Sequence, residues 1–466
     1  MKIGLIGLAT MGRNLAINML EKGIEVAAFD VDAACRNHCA QEPGLASDSF
    51  ALHEDLESFI AALKPPRLVF IMIKAGDPVD RLLARAIPRL LSGDTILDGG
   101  NSHFSDTLRR CRELSRQGIV FLGAGISGGA HGARHGPAIM LGGTRVPPTL
   151  KHILETICAR FDQHPCLFHT PEVAGGHFVK MIHNGIEYAD MQLLAEAQSL
   201  LEHLLGLDIP EQAEVFHGWG QGELAGYLTT ITARILERID GETGRPALEL
   251  IHDAVDHKGT GLWTAQIALE LGVSTPNLLQ GVDARLLSRM EPTRRSMRQA
   301  WPNHSGKVSA DEKRQLIPAL AEALLAARIT VFAQGFALVD AANRQFDWNL
   351  DKKEIAACWR KGCILQGAMP ERIHNALAAA PDPVHLLLDA DLGSRAAQGF
   401  KLGRPVLAAA MNRELPVPGL LAALSFFDAL RQAPLWTRVV AAQRDFFGAH
   451  GFQRTDRPQR DSWVWS

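Results

Sequence analysis

Lys2-Ile3-Gly4-Leu5-Ile6-Gly7-Leu8-Ala9-Thr10-Met11-Gly12 is the stretch that decides the fold. A short β-branched apolar run ends in glycine, and a helical pattern over 11–21 follows at once. Between them lies G-x-A-x-x-G, built from Gly7, Leu8, Ala9, Thr10, Met11 and Gly12, with Ala9 where a second glycine is usual. Gly7 permits a tight turn, a small residue at 9 lets backbone approach a pyrophosphate, and Gly12 lets helix and strand pack closely. The start of the helix offers free N–H groups and the positive end of its dipole to phosphates.

Working outward, similar apolar runs recur at 24–30, 67–73, 95–98 and 119–123, and helical patterns separate most of them, as at 105–117. This alternation predicts a parallel sheet with right-handed crossovers. The second run ends at Asp30, eighteen residues after Gly12. An acidic residue there accepts hydrogen bonds from adenosine ribose hydroxyls and repels a 2′-phosphate; a turn or N-cap residue is the alternative.

From about residue 175 the strand pattern stops. Ala/Leu-rich segments at 176–205, 210–239, 264–271, 310–342 and 352–367 repeat their apolar residues at three and four, so a large helical domain is predicted. Asn184–Ala197 and Gln334–Asn343 look loosely alike, either as an internal duplication or as two amphipathic helices of similar composition. After Pro434 comes a short helix, 435–446, and then a polar, basic tail. Phe452, Trp463 and Trp465 suggest that this tail docks on something.

The composition narrows the class. The 466 residues carry a net charge of -3, with 47% apolar and 21% charged residues. That length suggests two or three domains. A near-neutral balance argues against nucleic-acid binding, and no uncharged apolar run approaches the roughly 18 residues of a membrane span. Met1-Lys2 and the apolar run behind it faintly mimic a signal peptide, but Arg13 interrupts the run and no small-residue cleavage site follows. Seven cysteines, at 35, 39, 111, 158, 166, 358 and 363, include no C-x-x-C pair. The expectation is reduced thiols in a cytoplasmic protein, without disulfide frame or metal site.

Gly175-Gly176-His177-Phe178-Val179-Lys180-Met181-Ile182-His183-Asn184-Gly185-Ile186-Glu187-Tyr188 carries the chemistry. On a helix, Lys180, His183, Asn184, Glu187 and Tyr188 share one face. A solvated face would carry several Lys, Glu and Arg; this one carries one base, one acid, an imidazole, an amide and a phenol. On a surface, the Lys and Glu would make a pair worth little. In a cleft, a Lys of lowered pKa can act as a base while the Glu acts as an acid. Two Gly-rich turns, Asp98-Gly99-Gly100-Asn101-Ser102 and Ser127-Gly128-Gly129, follow predicted strands at the edge where ligands bind in open α/β folds. Ser-Gly-Gly suits a carboxylate; a plain flexible loop is the alternative.

These residues resemble the decarboxylating 6-phosphogluconate dehydrogenase family, in its long, dimeric form, across essentially the whole chain. The matching stretches are IGLATMG, IKAGDPVD, DGGNS, SGGAHGARHGP, GGHFVKMIHNGIEYADMQL, HKGTGLWT, DARLLS and QRDFFGAH. The resemblance implies an α/β Rossmann-like domain over 1–175, an all-helical substrate and dimerisation domain over 176–433, and a tail over 434–466 that reaches the partner subunit. It implies oxidative decarboxylation of 6-phosphogluconate to ribulose 5-phosphate and CO₂, in the pentose phosphate pathway and gluconate utilisation. Lys180 would be the base and Glu187 the acid. Asn101, Ser127, Gly128, Gly129, His183 and Asn184 would hold the carboxylate and hydroxyls. Tyr188, Lys258, Thr260 and Arg285 would grip the phosphate, with Arg444 and His450 completing the partner's site in a homodimer. Residues 7–12, Asp30, Val31, Asp32, Ile73, Lys74, Ala75 and Asn101 would hold the nicotinamide cofactor.

Departures from the family pattern bear on detail. Its common NADP-binding form has Asn-Arg followed by Ser or Thr where this chain has Asp30-Val31-Asp32. The arginine for the 2′-phosphate is absent and two carboxylates stand there, so NAD is expected as the preferred cofactor and NADP as the lesser one. Ala130-His131 replace a frequently acidic pair, His135 a frequent Tyr, Leu141 a frequent Pro, and Leu262 a common Lys. Two rival readings are a dehydrogenase of a small unphosphorylated hydroxy acid, which would lack the long helical half and the tail, and a non-catalytic NAD-binding scaffold, which would not need Lys180 and Glu187.

Overall fold

The computed structural model describes residues 1–256, 259–302, 308–380 and 383–465. Its amino-terminal part is built on β1 (Lys2–Ile6), β2 (Glu25–Phe29), β3 (Phe50–His53), β4 (Leu68–Ile71), β5 (Thr95–Asp98), β6 (Val120–Ser127) and β7 (Ala138–Gly142). A small hairpin, β8 (Arg160–Phe161) with β9 (His164–Pro165), precedes β10 (Leu167–Thr170). The main sheet has eight strands in the order β10-β7-β6-β5-β4-β1-β2-β3. Side-chain alternation along β1 feeds both faces: Ile3 and Leu5 join one buried apolar cluster, and Ile6 joins the other with Phe29, Phe59 and Phe121. Helices cover both faces, giving the α/β Rossmann-like layer that the sequence predicts.

Two features differ from the expectation. The sheet is mixed, because β6 and β7 pair antiparallel. Only residues 128–137 join these strands, and a parallel return needs a crossover of a dozen or more. Strands β3, β7 and β10 escape a reading by apolar runs. β3 is half-buried throughout, β7 sits among glycines, and β10 has the exposed His169 in its middle.

The carboxyl-terminal part is helical. The central Gly175–Ser199 helix continues into a π turn over Leu200–Leu204. The predicted segment 210–239 is two helices, Ile209–Trp219 and Tyr227–Glu237, separated by a stretch holding Gly220, Gly222 and Gly226. The segment 352–367 is helical only over Lys352–Trp359. The 37-residue helix Ala310–Phe346 is long and apolar enough to cross a membrane by length and composition, yet 72% of its most apolar window is buried inside the fold. It packs on the Gly175–Ser199 helix so closely that a Cβ on Gly335 would lie 2.4 Å from Ile186 Cδ1. The two loosely alike segments therefore sit on touching core helices, where burial selects the same small apolar residues. Arg328, on the long helix, pairs with the buried Asp190 at 2.8 Å, closing a charge pair beneath the central helix.

The tail is ordered. Helix Thr437–Gly448 is followed by β11 (Phe452–Gln453) paired antiparallel with β12 (Arg460–Asp461).

Candidate active site

The cofactor loop lies at the carboxyl end of β1, which sits between β2 and β4 where the strand order reverses. Gly7 has φ +98°, and a Cβ there would lie 2.4 Å from the Met72 carbonyl oxygen. A Cβ on Gly12 would lie 1.8 Å from the Gly7 carbonyl oxygen. No side chain caps the Thr10–Glu21 helix at Ala9, so its first amides stay available to a phosphate. Ile73, Lys74 and Ala75 follow β4 beside this turn, and Ile73 Cγ2 closes over Gly7. This cradle, too tight for side chains and lined by free amides, fits a dinucleotide.

Asp30 has a structural job that its spacing from Gly12 does not show. Its carboxylate accepts from the Leu8 amide at 2.6 Å and from the Asp32 amide at 2.9 Å, so it ties the end of β2 to the glycine loop. Val31 is exposed, and Asp32 caps the Ala33–Ala40 helix through the Ala34 amide. The Arg36 guanidinium turns back onto the Asp30 and Val31 carbonyls at 2.7 and 3.2 Å. Sequence spacing gave no sign of Arg36.

On the Gly175–Ser199 helix, Lys180, His183 and Asn184 of the polar stripe are buried, and Glu187 and Tyr188 are half-buried. Lys180 is 6% exposed and His183 0%. Lys180 Nζ donates to Asn184 Oδ1 at 2.6 Å and lies 3.5 Å from His183 Nδ1. His183 Nε2 is 3.2 Å from Ser127 Oγ, which joins the Ser-Gly-Gly turn after β6 to the helix. Glu187 Oε2 lies 3.6 Å from His183 Nδ1. Burial holds the Lys180 ammonium below its usual range, against the opposing pull of Glu187. Burial also raises the Glu187 carboxyl above its usual range, although Lys180 and Arg285 pull it down. Burial and the neighbouring Lys180 charge keep His183 neutral, well below its ordinary titration range. One face thus carries an amine whose pKa is lowered and a carboxyl whose pKa is raised, shifts in the directions that acid–base chemistry near neutral pH needs.

A second corner gathers around Tyr188. The Arg285 guanidinium carbon lies 3.3 Å from the centre of its ring, and a Cβ on Gly261 would lie 2.4 Å from its Cδ2. Thr260, which begins the Thr260–Glu270 helix, is buried on the same side. Arg285 donates only to the Gly281 carbonyl and to Met191 Sδ, and makes no ion pair among the described residues. Its fork therefore remains available to an anion.

Asn101 is exposed on the turn after β5. Asp98 shapes that turn by accepting from the Gly100 amide at 3.0 Å and from Ser102 Oγ at 2.6 Å, and the buried Arg110 stands behind it, 3.6 Å from Asp98. Gly128 and Gly129 have φ of +117° and +59°. Lys258 lies outside the described residues. Arg444 and His450 are exposed on the tail, and among the described residues no side-chain hydrogen bond or ion pair ties them to the stripe of their own chain. Sequence reasoning missed several supports. Trp359 presents its ring edge-on to His183, 5.4 Å between centroids. Thr264 Oγ1 donates to the Met181 carbonyl at 2.6 Å. These contacts join residues 80 or more positions apart, beyond the reach of local spacing.

A doubly wound sheet with a glycine loop shaped for a dinucleotide, facing a helix that carries a buried lysine and a half-buried carboxyl, defines a nicotinamide-dependent oxidoreductase. The family model described as the NAD binding domain of 6-phosphogluconate dehydrogenase matches residues 2–169, and that of the 6-phosphogluconate dehydrogenase C-terminal domain matches 176–465. The chain belongs to the decarboxylating 6-phosphogluconate dehydrogenase family. It is 39% identical over 457 residues to the NADP(+)-dependent, decarboxylating enzyme of Bacillus subtilis, covering 98% of this chain and 97% of that one. It is 40% identical over 454 residues to the decarboxylating enzyme of Drosophila melanogaster, with 97% and 93% covered. The 6-phosphogluconate dehydrogenase of Plasmodium falciparum, solved in its apo form, with NADP+ and with 6-phosphogluconate, superposes with a TM-score of 0.94 at 32% identity over 100% of both chains.

Proposed function

We propose that this chain oxidises and decarboxylates 6-phosphogluconate to ribulose 5-phosphate and CO₂, with NAD as preferred hydride acceptor. The observation that carries the reading is the Lys180–Asn184–His183–Glu187 stripe facing Ser127, with Lys180, His183 and Asn184 buried. A nicotinamide held by the Gly7–Gly12 loop would supply the acceptor for the hydride that leaves C3 of the substrate. Neutral Lys180 removes the C3 hydroxyl proton, leaving a β-keto acid. Loss of CO₂ sends the electron pair towards the ketone oxygen, to which the Lys180 ammonium returns its proton. Glu187 then gives its proton to C1 of the enediol while Lys180, again neutral, takes back the enol hydroxyl proton, which leaves the ketone of ribulose 5-phosphate. Ser127, Gly128, Gly129, Asn101, His183 and Asn184 orient the carboxylate and hydroxyls. Tyr188, Lys258, Thr260 and Arg285 take the phosphate, with Arg444 and His450 supplied by the second subunit of a cytoplasmic homodimer.

The preference for NAD rests on the Asp30-Val31-Asp32 triplet. A 2′-phosphate about 4 Å from a carboxylate costs on the order of 1–4 kcal/mol between water and a protein surface. The relative from Bacillus subtilis is named for NADP(+). One observation favours that cofactor here too: Arg36 stands beside the triplet, although its donors face backbone carbonyls. Steady-state kinetics with 6-phosphogluconate, NAD and NADP in parallel, with CO₂ followed, test both parts. Absence of CO₂ with either cofactor overturns the reaction, and a higher kcat/KM with NADP overturns the preference.

A further inference from the structure

Behind the Ser-Gly-Gly turn lies a second cavity, of about 340 Å³, at the seam between the sheet and the helical half. Its walls carry Lys22, His131, His135, Arg160, Tyr227 and Lys361. Among the described residues no carboxylate lines it. Lys22 closes the Thr10–Glu21 helix, the two imidazoles lie 4.6 Å apart between centroids with their planes tilted by 52° on the short Gly129–His135 helix, and Lys361 belongs to the loop after the Lys352–Trp359 helix. Lys22 and Lys361 form no ion pair among the described residues. Five basic side chains from four segments thus converge on one concave space that no described carboxylate lines, and Tyr227 adds a hydroxyl.

The cavity is bound to the active site by its own walls. Gly128 lines it from one side, and Gly362 from the other. A Cβ on Gly128 would lie 2.4 Å from the Gly362 carbonyl oxygen, which also accepts from the Ala138 amide at 2.8 Å. The Gly362 loop is bracketed by Trp359, which meets His183, and by Cys363, whose thiol donates to the Trp359 carbonyl. His131 and His135 stand where the family resemblance leads one to expect an acidic residue and a tyrosine, so this wall lacks the carboxylate the family pattern would place there.

We propose that this cavity is a second anion site, separate from the corner around Tyr188 and Arg285, that takes a small phosphorylated compound. Cations delivered from both halves of the molecule match a ligand with two phosphoryl groups, one held by Lys361 and the imidazoles, the other by Lys22 and Arg160. Its occupancy fixes the Gly362 loop against Gly128, and so acts on the turn that presents Ser127.

The test is equilibrium binding of inorganic pyrophosphate and of fructose 1,6-bisphosphate to the full chain, by titration calorimetry, in wild type, K361E, K22E and R285A. None of Lys22, Lys361, His131 or His135 belongs to the catalytic machinery, so K361E and K22E keep basal turnover and melting temperature. Pyrophosphate or bisphosphate binding that survives R285A and weakens at least tenfold in both K361E and K22E is the expected result. A preference for the sugar bisphosphate identifies a metabolite effector, and equal affinity identifies a diphosphate site. Binding lost in R285A and unchanged in K361E, or no binding by the wild type at millimolar ligand, overturns the proposal. Turnover and phosphate affinity lost together in R285A report on the active-site reading instead, which keeps the two failures apart.

Discussion

Lys180 Nζ donates to Asn184 Oδ1 at 2.6 Å, one turn further along the same buried helix. The nearest partner of the proposed base is thus a neutral amide. An amide satisfies one ammonium proton without favouring the charged form as strongly as a carboxylate would, so burial is free to lower the Lys180 pKa. Asn184→Asp reverses this balance with little change of volume. The acid limb of the kcat/KM profile, where Lys180 must lose its proton, is expected to move to higher pH, and turnover near neutrality to fall at least tenfold. A pH–rate series on the purified variant checks this; an unmoved limb would remove Lys180 from the role of base.

Glu187 carries the opposite shift. Its carboxyl is raised by burial, so it keeps its proton to higher pH than an ordinary glutamate, and activity should fall as pH rises through that raised value. Glu187→Gln removes the proton donor and keeps the shape. General acid catalysis contributes about 10²–10⁴-fold, so kcat should drop by that order while KM for 6-phosphogluconate stays within about threefold. The alkaline limb assigned to Glu187 should disappear from what activity remains. A variant with wild-type kcat would place the C1 proton elsewhere.

Some of this was legible in the residues alone. The Gly7–Gly12 loop and the stripe at 180, 183, 184, 187 and 188 are local patterns, since turn sterics and helical period act within a dozen residues. The antiparallel β6–β7 pair was not legible, because the direction of return depends on the length of a connection whose end, at β7, had no clear apolar signature. Asp30 read as a ribose ligand because its spacing from Gly12 fits one; that its carboxylate also ties Leu8 to Asp32 depends on how two strands lie side by side. Trp359 against His183 joins residues 176 positions apart, and no periodicity carries that distance.

The cofactor loop can be rebuilt without disturbing that tie. The Val31 side chain is exposed, and Asp32 serves as an N-cap, a job that serine also does. The double variant Val31→Arg with Asp32→Ser removes one carboxylate and adds a guanidinium while Asp30 keeps both backbone amides. A gain of at least tenfold in kcat/KM for NADP relative to NAD is expected, about 1.4 kcal/mol, with an unchanged melting temperature. A ratio that does not move would show that specificity is set away from this triplet, with Arg36 the first alternative.

Asp445 is the residue the tail turns on. Its carboxylate accepts from the Gly451 amide at 2.8 Å, Ser462 Oγ at 2.7 Å, the Trp463 amide at 2.9 Å and Trp465 Nε1 at 2.7 Å. Burial opposes the charged form, but these four donors outweigh it and hold the carboxyl at about 2. A depressed pKa gives stability that is present above the ordinary carboxyl value, about 3.9, and is lost as pH falls through the folded one. The tail should therefore stay folded at neutral pH and loosen between about pH 4 and pH 2. Arg444 precedes Asp445 directly and His450 ends the same turn, so the knot sets the position of both. Asp445→Ala leaves the four donors without their acceptor; trypsin should then cut at Arg454 or Arg457 many times faster than in wild type. If Arg444 and His450 complete a neighbouring subunit's phosphate site, KM for 6-phosphogluconate should rise at least tenfold in the same variant while KM for the cofactor stays put. Faster proteolysis with an unchanged substrate KM would confine Asp445 to holding the tail and would remove the tail from the substrate site.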